Sequence, residues 1–83
     1  MRTQGMRLAW QKDASGTHRF IAESVRFRFV LIDPPRGKTH LWVQHVADDW
    51  NTKPIDQRPC TSRRHAQRLA QRFEDSAHPR RLR

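Results

Sequence analysis

At 83 residues the chain has room for one small domain, or a piece that needs a partner, and a large enzyme is excluded. Its 17 Lys and Arg outnumber eight Asp and Glu for a net charge of +9, and 14 of the 17 are Arg, which points to a polyanionic partner. With 35% hydrophobic residues, core burial only narrowly offsets the roughly 1–2 kcal/mol of backbone entropy lost per ordered residue.

No run of about 18 apolar residues is present, so no membrane partner is expected. The opening MRTQGMRLAW lacks the apolar core of a secretory signal, and the expected location is cytoplasmic. Cys60 is the single cysteine and has no internal disulfide partner.

Residues 1–5 read as a flexible leader. From Met6 to Gln11 large apolar and polar or small residues alternate, the period of a half-buried strand. Asp13-Ala14-Ser15-Gly16 supplies a turn, and residues 17–23 resume an extended pattern with Phe20 and Ala22 on one side, Arg19 and Glu23 on the other. Residues 25–32 form the clearest strand, rich in β-branched and aromatic side chains, with Arg26 and Arg28 alternating with Phe27 and Phe29. Asp33-Pro34-Pro35-Arg36-Gly37-Lys38 breaks it, and residues 39–46 return as the final strand of a second hairpin.

Residues 47–59 hold two prolines and no sustained period and read as a loop, with Trp50 and Ile55 tucked against the core. Thr61 or Ser62 then offers an N-cap, and Ala66, Leu69, Ala70, Phe73 and Ala77 recur at helical spacing. The basic stretch 78–83 is expected to fray. The expected architecture is α+β: an antiparallel meander of three or four strands with one C-terminal amphipathic helix packed on one face. It fills a single domain over 6–77, with a long loop at 47–60 and a basic tail at 78–83.

If Leu8, Trp10, Phe20, Phe27, Phe29, Leu31, Leu41 and Val43 point inward, the pleat puts Arg7, Arg19, Arg26, Arg28, Trp42 and Gln44 on the opposite face. Such a face could neutralise phosphates, reach base edges or stack a base on Trp42; a solvated polar face is the competing explanation. Arg64, Arg68 and Arg72 recur every four residues and line one side of the helix, and Arg80 and Arg81 extend the basic charge into the tail. The helix places Arg63 and Arg64 at its start and Glu74 and Asp75 near its end, the reverse of what its dipole favours. Residues 1–32 sum to +4, 33–59 to zero and 60–83 to +5, so basic charge is segregated to the sheet and the helix with its tail.

Metal and catalytic readings have less support. His40 and His45 face opposite ways on one strand, and no second Cys completes a zinc site. Cys60 at a helix start would carry a slightly lowered pKa, and His45, Asp48 and Asp49 could hold Mg²⁺ for phosphodiester cleavage. The leading expectation is non-enzymatic and needs no cofactor.

Arg26-Phe27-Arg28-Phe29, the Asp33 to Lys38 hairpin, Leu41-Trp42-Val43 and a helix introduced by Thr61 with Ala66 and Leu69 inside give residues 25–75 a resemblance to a known family. They resemble the arm-type DNA-binding domains of tyrosine recombinases and the related Apetala-type domains. The resemblance implies a sheet that reads a major groove through Arg26, Arg28, Trp42 and Gln44. The long insertion at 47–59 departs from that pattern, and recombination is not implied. In outline the chain is also similar to small orphan bacteriophage proteins that bind DNA or disable one host protein. The expected function is thus a nucleic-acid-binding module, DNA ahead of RNA. The alternative is an inhibitor or adaptor that docks its basic surface on an acidic protein.

Overall fold

A computed structural model describes residues 7–14 and 18–77. The expected leader and tail, Arg80 and Arg81 among them, lie outside the described residues, as do Met6 and the Ser15-Gly16 part of the first turn.

The chain forms five strands and one helix: β1 (Gln11–Lys12), β2 (Arg19–Glu23), β3 (Phe27–Ile32), β4 (Thr39–His45), β5 (Asp56–Cys60) and α1 (Arg63–Ala77). All neighbouring strands are antiparallel in the order β1-β2-β3-β4-β5, a simple meander. The α+β class is as expected, but the sheet has five strands where three or four were expected. The additional strand, β5, lies inside the stretch read as a loop. Its sequence, Asp-Gln-Arg-Pro-Cys, carries no β-branched or aromatic residue, and it pairs with β4 through tertiary context. Pro59 lacks an N–H, which a strand tolerates at the margin of a sheet, where β5 sits. The strand expected over 6–11 is reduced to the two-residue β1.

Period-two alternation makes one face of the sheet apolar. Ala22, Phe27, Phe29, Leu31, Leu41 and Val43 are buried there together with Leu8, Cys60 and the helical Ala66 and Ala70. Phe20, Trp10, Leu69 and Phe73 pack against this core. Phe73 meets Phe27 and Phe29 edge-on, with centroids 5.1 and 6.1 Å apart, which fixes α1 across the central strands. The small Ala66 and Ala70 let the helix backbone approach the sheet closely.

The connections have specific chemistry. Between β2 and β3, Ser24 Oγ accepts from the N–H groups of Arg26 and Phe27, leaving Val25 and Arg26 exposed at the tip. Between β3 and β4 the chain turns at Gly37, whose φ of +96 is one that side-chain-bearing residues rarely adopt. Thr39 Oγ1 closes that turn by donating to Asp33 Oδ1 at 2.8 Å. Ser62 is the N-cap of α1, its Oγ accepting from His65 N–H, while His65 Nδ1 accepts from Thr61 N–H.

Candidate nucleic-acid interface

The sheet face turned away from α1 carries Arg19, Glu23, Arg28, Trp42 and Gln44, as strand alternation requires. That face is not open. Residues 46–55 fold back across it, and the two polar side chains at its centre are buried: Arg28 is 6% exposed and Gln44 2%. Arg28 Nη1 donates to Gln44 Oε1 (3.1 Å) and to the carbonyl of Asp48 (3.0 Å), and Nη2 donates to the carbonyl of Val46 (2.9 Å). Its Nε lies 3.3 Å from Glu23 Oε2. Gln44 Nε2 donates to the carbonyls of Trp50 (3.2 Å) and Thr52 (2.8 Å). These two residues thus clamp the loop, and their donors are directed at protein carbonyls where a ligand was expected.

Trp50 and Ile55, expected to tuck against the core, remain 49% and 47% exposed. Trp50 instead lies over the Arg28 guanidinium, 4.2 Å from ring centroid to Cζ. Trp42 is half-buried, and its Nε1 is buried without an acceptor among the described residues. It lines a cleft of about 580 Å3 with Arg19, Val30, Trp50 and Asn51.

Of the other expected contacts on the sheet, Arg19 is ion-paired to Asp13 at 2.6 Å. Arg26 is exposed on the β2–β3 turn, and Arg7 is exposed ahead of β1. Leu8 N–H donates to Gln71 Oε1 at 3.0 Å, which sets Arg7 beside the helix and away from the sheet arginines.

On α1 the expectation of a basic stripe is met in placement. Ala66, Ala70 and Phe73 face the sheet, so Arg64 and Arg68 fall on the outer side and Arg72 on the flank towards β5, where it lines a cleft with Asp56 and Arg58; all three are exposed. They make no ion pair or hydrogen bond among the described residues. Rising about 6 Å from one to the next, they span about 12 Å. Asp75 shares this side and accepts from Gln71 Nε2 at 3.1 Å, whereas Glu74 is buried. Four ion pairs, Arg19–Asp13, Arg28–Glu23, Arg58–Asp56 and Arg63–Asp33, draw described carboxylates to the sheet, its turns and the helix start. The two basic surfaces therefore lie on opposite sides of the molecule: the helix stripe is open, the sheet arginines largely engaged.

Two further exposed cations, Arg36 and Lys38, lie on a turn near the start of α1. Arg63 Nε sits 4.0 Å from Asp33 Oδ2, which brings the 33–38 turn to the start of α1 with its exposed Arg36 and Lys38. Lys38 also lines a cleft with Thr61, two residues ahead of the helix. The sequence signal was the pair of cations flanking Gly37; nothing local showed that this turn would reach the helix.

The groups considered for catalysis do not converge. No group of three His, Cys, Asp or Glu that could hold a metal occurs among the described residues. His45 stacks on Phe27 at 5.7 Å, on the helix side of the sheet. Cys60 is buried, and desolvation raises its thiol pKa above the ordinary value, with the Arg58 charge working weakly the other way. The slight lowering expected from the helix start is overturned, because the buried thiol sits in the core rather than at a solvated terminus. No helix among the described residues is long and apolar enough to cross a membrane.

Searches against protein-family models, curated proteins and solved structures give no match for this chain.

Proposed function

We propose that this chain is a small, non-enzymatic nucleic-acid-binding module that grips backbone phosphates through Arg64, Arg68 and Arg72 on α1, with Arg7 beside them. The observation that carries this reading is the row of three exposed arginines at four-residue intervals with no partner among the described residues. A helix designed for stability alone would intersperse carboxylates and place them at its first turn, where this one has none. Guanidinium groups offer the paired donors that phosphate accepts best. DNA stands ahead of RNA on the sequence resemblance alone.

Docking of the sheet into a major groove is not adopted, because Arg28 and Gln44 would have to release residues 46–55 before they could touch a base. Arg19 and Arg26 then serve as outlying charges on the far side.

The experiment is a binding titration with fluorescent oligonucleotides at two salt concentrations. Three to four phosphate contacts predict that log affinity falls against log salt with a slope of about −3 to −4. Charge reversal of the stripe, Arg64→Glu with Arg68→Glu, should abolish binding, and Lys53→Glu on the far side should leave it nearly unchanged. A flat salt response, or binding that survives reversal, sinks the proposal. An acidic protein captured after nuclease treatment, with no affinity for oligonucleotides, would support the adaptor alternative instead.

A further inference from the structure

Resting on the nucleic-acid reading, we infer that the polyanion is a duplex, laid along the outer side of α1 from the 33–38 turn to Arg72, and not a single strand. Three observations lead there.

The first concerns aromatic rings. Proteins that hold single strands pair a basic groove with exposed rings on which unpaired bases stack, each worth about 1–3 kcal/mol. This chain has four Phe, three Trp and no Tyr, all within the described residues. Phe27 and Phe29 are buried, and Phe20, Phe73 and Trp10 pack against the core. Trp42 lies on the far face, half-buried. Trp50 is the one ring among the exposed large apolar residues, and it sits on the loop that covers the sheet face opposite α1, with Arg28 against it. Among the described residues the open basic side therefore has exposed cations and no exposed ring, its Trp10, Phe20 and Phe73 being partly buried.

The second is the shape of that side. The stripe is carried on a convex helix, and the 33–38 turn adds Arg36 and Lys38 at its N-terminal end through the Arg63–Asp33 contact. A rigid row of this kind suits a regular array of phosphates on a stiff partner, whereas a flexible strand is best held in a groove.

The third is charge density. A duplex presents one phosphate about every 1.7 Å of axis, twice the density of one of its strands, and releases more counterion per contact, with slopes of about −0.9 against −0.7. For a site without stacking, four contacts, counted as Arg64, Arg68, Arg72 and Lys38, compound this difference to roughly a fivefold preference for duplex at about 0.1 M salt.

The test uses the full chain with a mixed-sequence duplex of about 20 base pairs and an oligo(dT) strand of about equal length. Duplex binding should be roughly fivefold tighter at about 0.1 M salt, with a slope near −3.6. Lys38→Ala should reduce that slope by about 0.9, as Arg72→Ala does, and Trp50→Ala should leave both affinities unchanged. Equal or tighter binding of oligo(dT), or a severalfold loss caused by Trp50→Ala, overturns the duplex assignment while leaving nucleic-acid binding intact. An unchanged slope in Lys38→Ala confines the contact to α1 and overturns the extension to the turn. Failure to bind either probe overturns the functional reading itself, so the two failures are told apart.

Discussion

Arg28 serves the fold through its charge and its shape together. A guanidinium can send donors in several directions within one plane, and here they reach Glu23, Gln44 and the carbonyls of Val46 and Asp48 while Trp50 covers its face. Lysine cannot reproduce that geometry. Arg28→Lys should destabilise the domain, and Arg28→Ala should cost about 2–4 kcal/mol, because Gln44 and two loop carbonyls lose their partner under partial burial. Urea denaturation measures the loss, and limited proteolysis with chymotrypsin should show cleavage after Trp50 appearing in the variant before global unfolding. The alternation that put Arg28 and Gln44 on the face away from the core was legible in the sequence. Their burial was not, because period-two patterning assigns a side but does not reveal what later folds over that side. Cys60 yields a second prediction at this scale. Its thiol is neutral in the fold with a raised pKa, so as pH climbs the unfolded chain gives up this proton first. The contribution is fully present below the unfolded thiol's value, near pH 8.5, and is lost as pH rises through the folded value. Stability measured by denaturant midpoint should therefore fall on the alkaline side, by less than about 1.4 kcal/mol per pH unit from this group, and Cys60→Ala should remove that component. The chain has no tyrosine to confuse the profile.

Among the elements, α1 was the most legible, since its stripe of Ala66, Leu69, Ala70 and Phe73 and its hydroxyl cap all lie within one stretch of chain. Ser62→Ala should cost about 1 kcal/mol in thermal or urea unfolding, as the His65 N–H loses its acceptor. The charge order of α1 works against its own dipole, with Arg63 and Arg64 in the first turn and Asp75 in the last. An anion bound along the stripe relieves that repulsion, so the helix should gain stability from its partner in proportion to occupancy. Strand β5 was not legible because Asp56–Cys60 has no intrinsic strand preference and a proline within it; it exists because β4 offers an unpaired row of donors and acceptors and because α1 needs the chain delivered to its start. In sequence the stretch 47–59 shows only two prolines and no sustained period. Its length is what lets residues 46–55 cross the sheet face, a role set by two side chains, Gln44 just ahead of it and Arg28 on the preceding strand.

For the whole molecule, the excess of positive charge divides into an engaged half and an open half. The sequence sums already separated a neutral middle from two basic ends, yet that division missed the turn at 33–38, whose cations join the helix side in space. The open half should dominate any electrostatic association. Removing two of its charges, with Arg64→Gln and Arg68→Gln, should reduce the salt slope by about 1.8, whereas neutralising Lys53 should leave the slope unaltered, as read by anisotropy titration.

The outer margin of the sheet then acquires a meaning for crowding. Mutual repulsion at +9 keeps free molecules apart in solution, but a polyanion neutralises that charge and concentrates many copies side by side. Under those conditions an open strand would invite neighbours to zip together into fibres. Pro59, with no N–H to offer, and the paired Asp56 and Arg58 leave β5 a poor template for such growth, so copies packed along one partner should remain separate and leave it again when salt is raised.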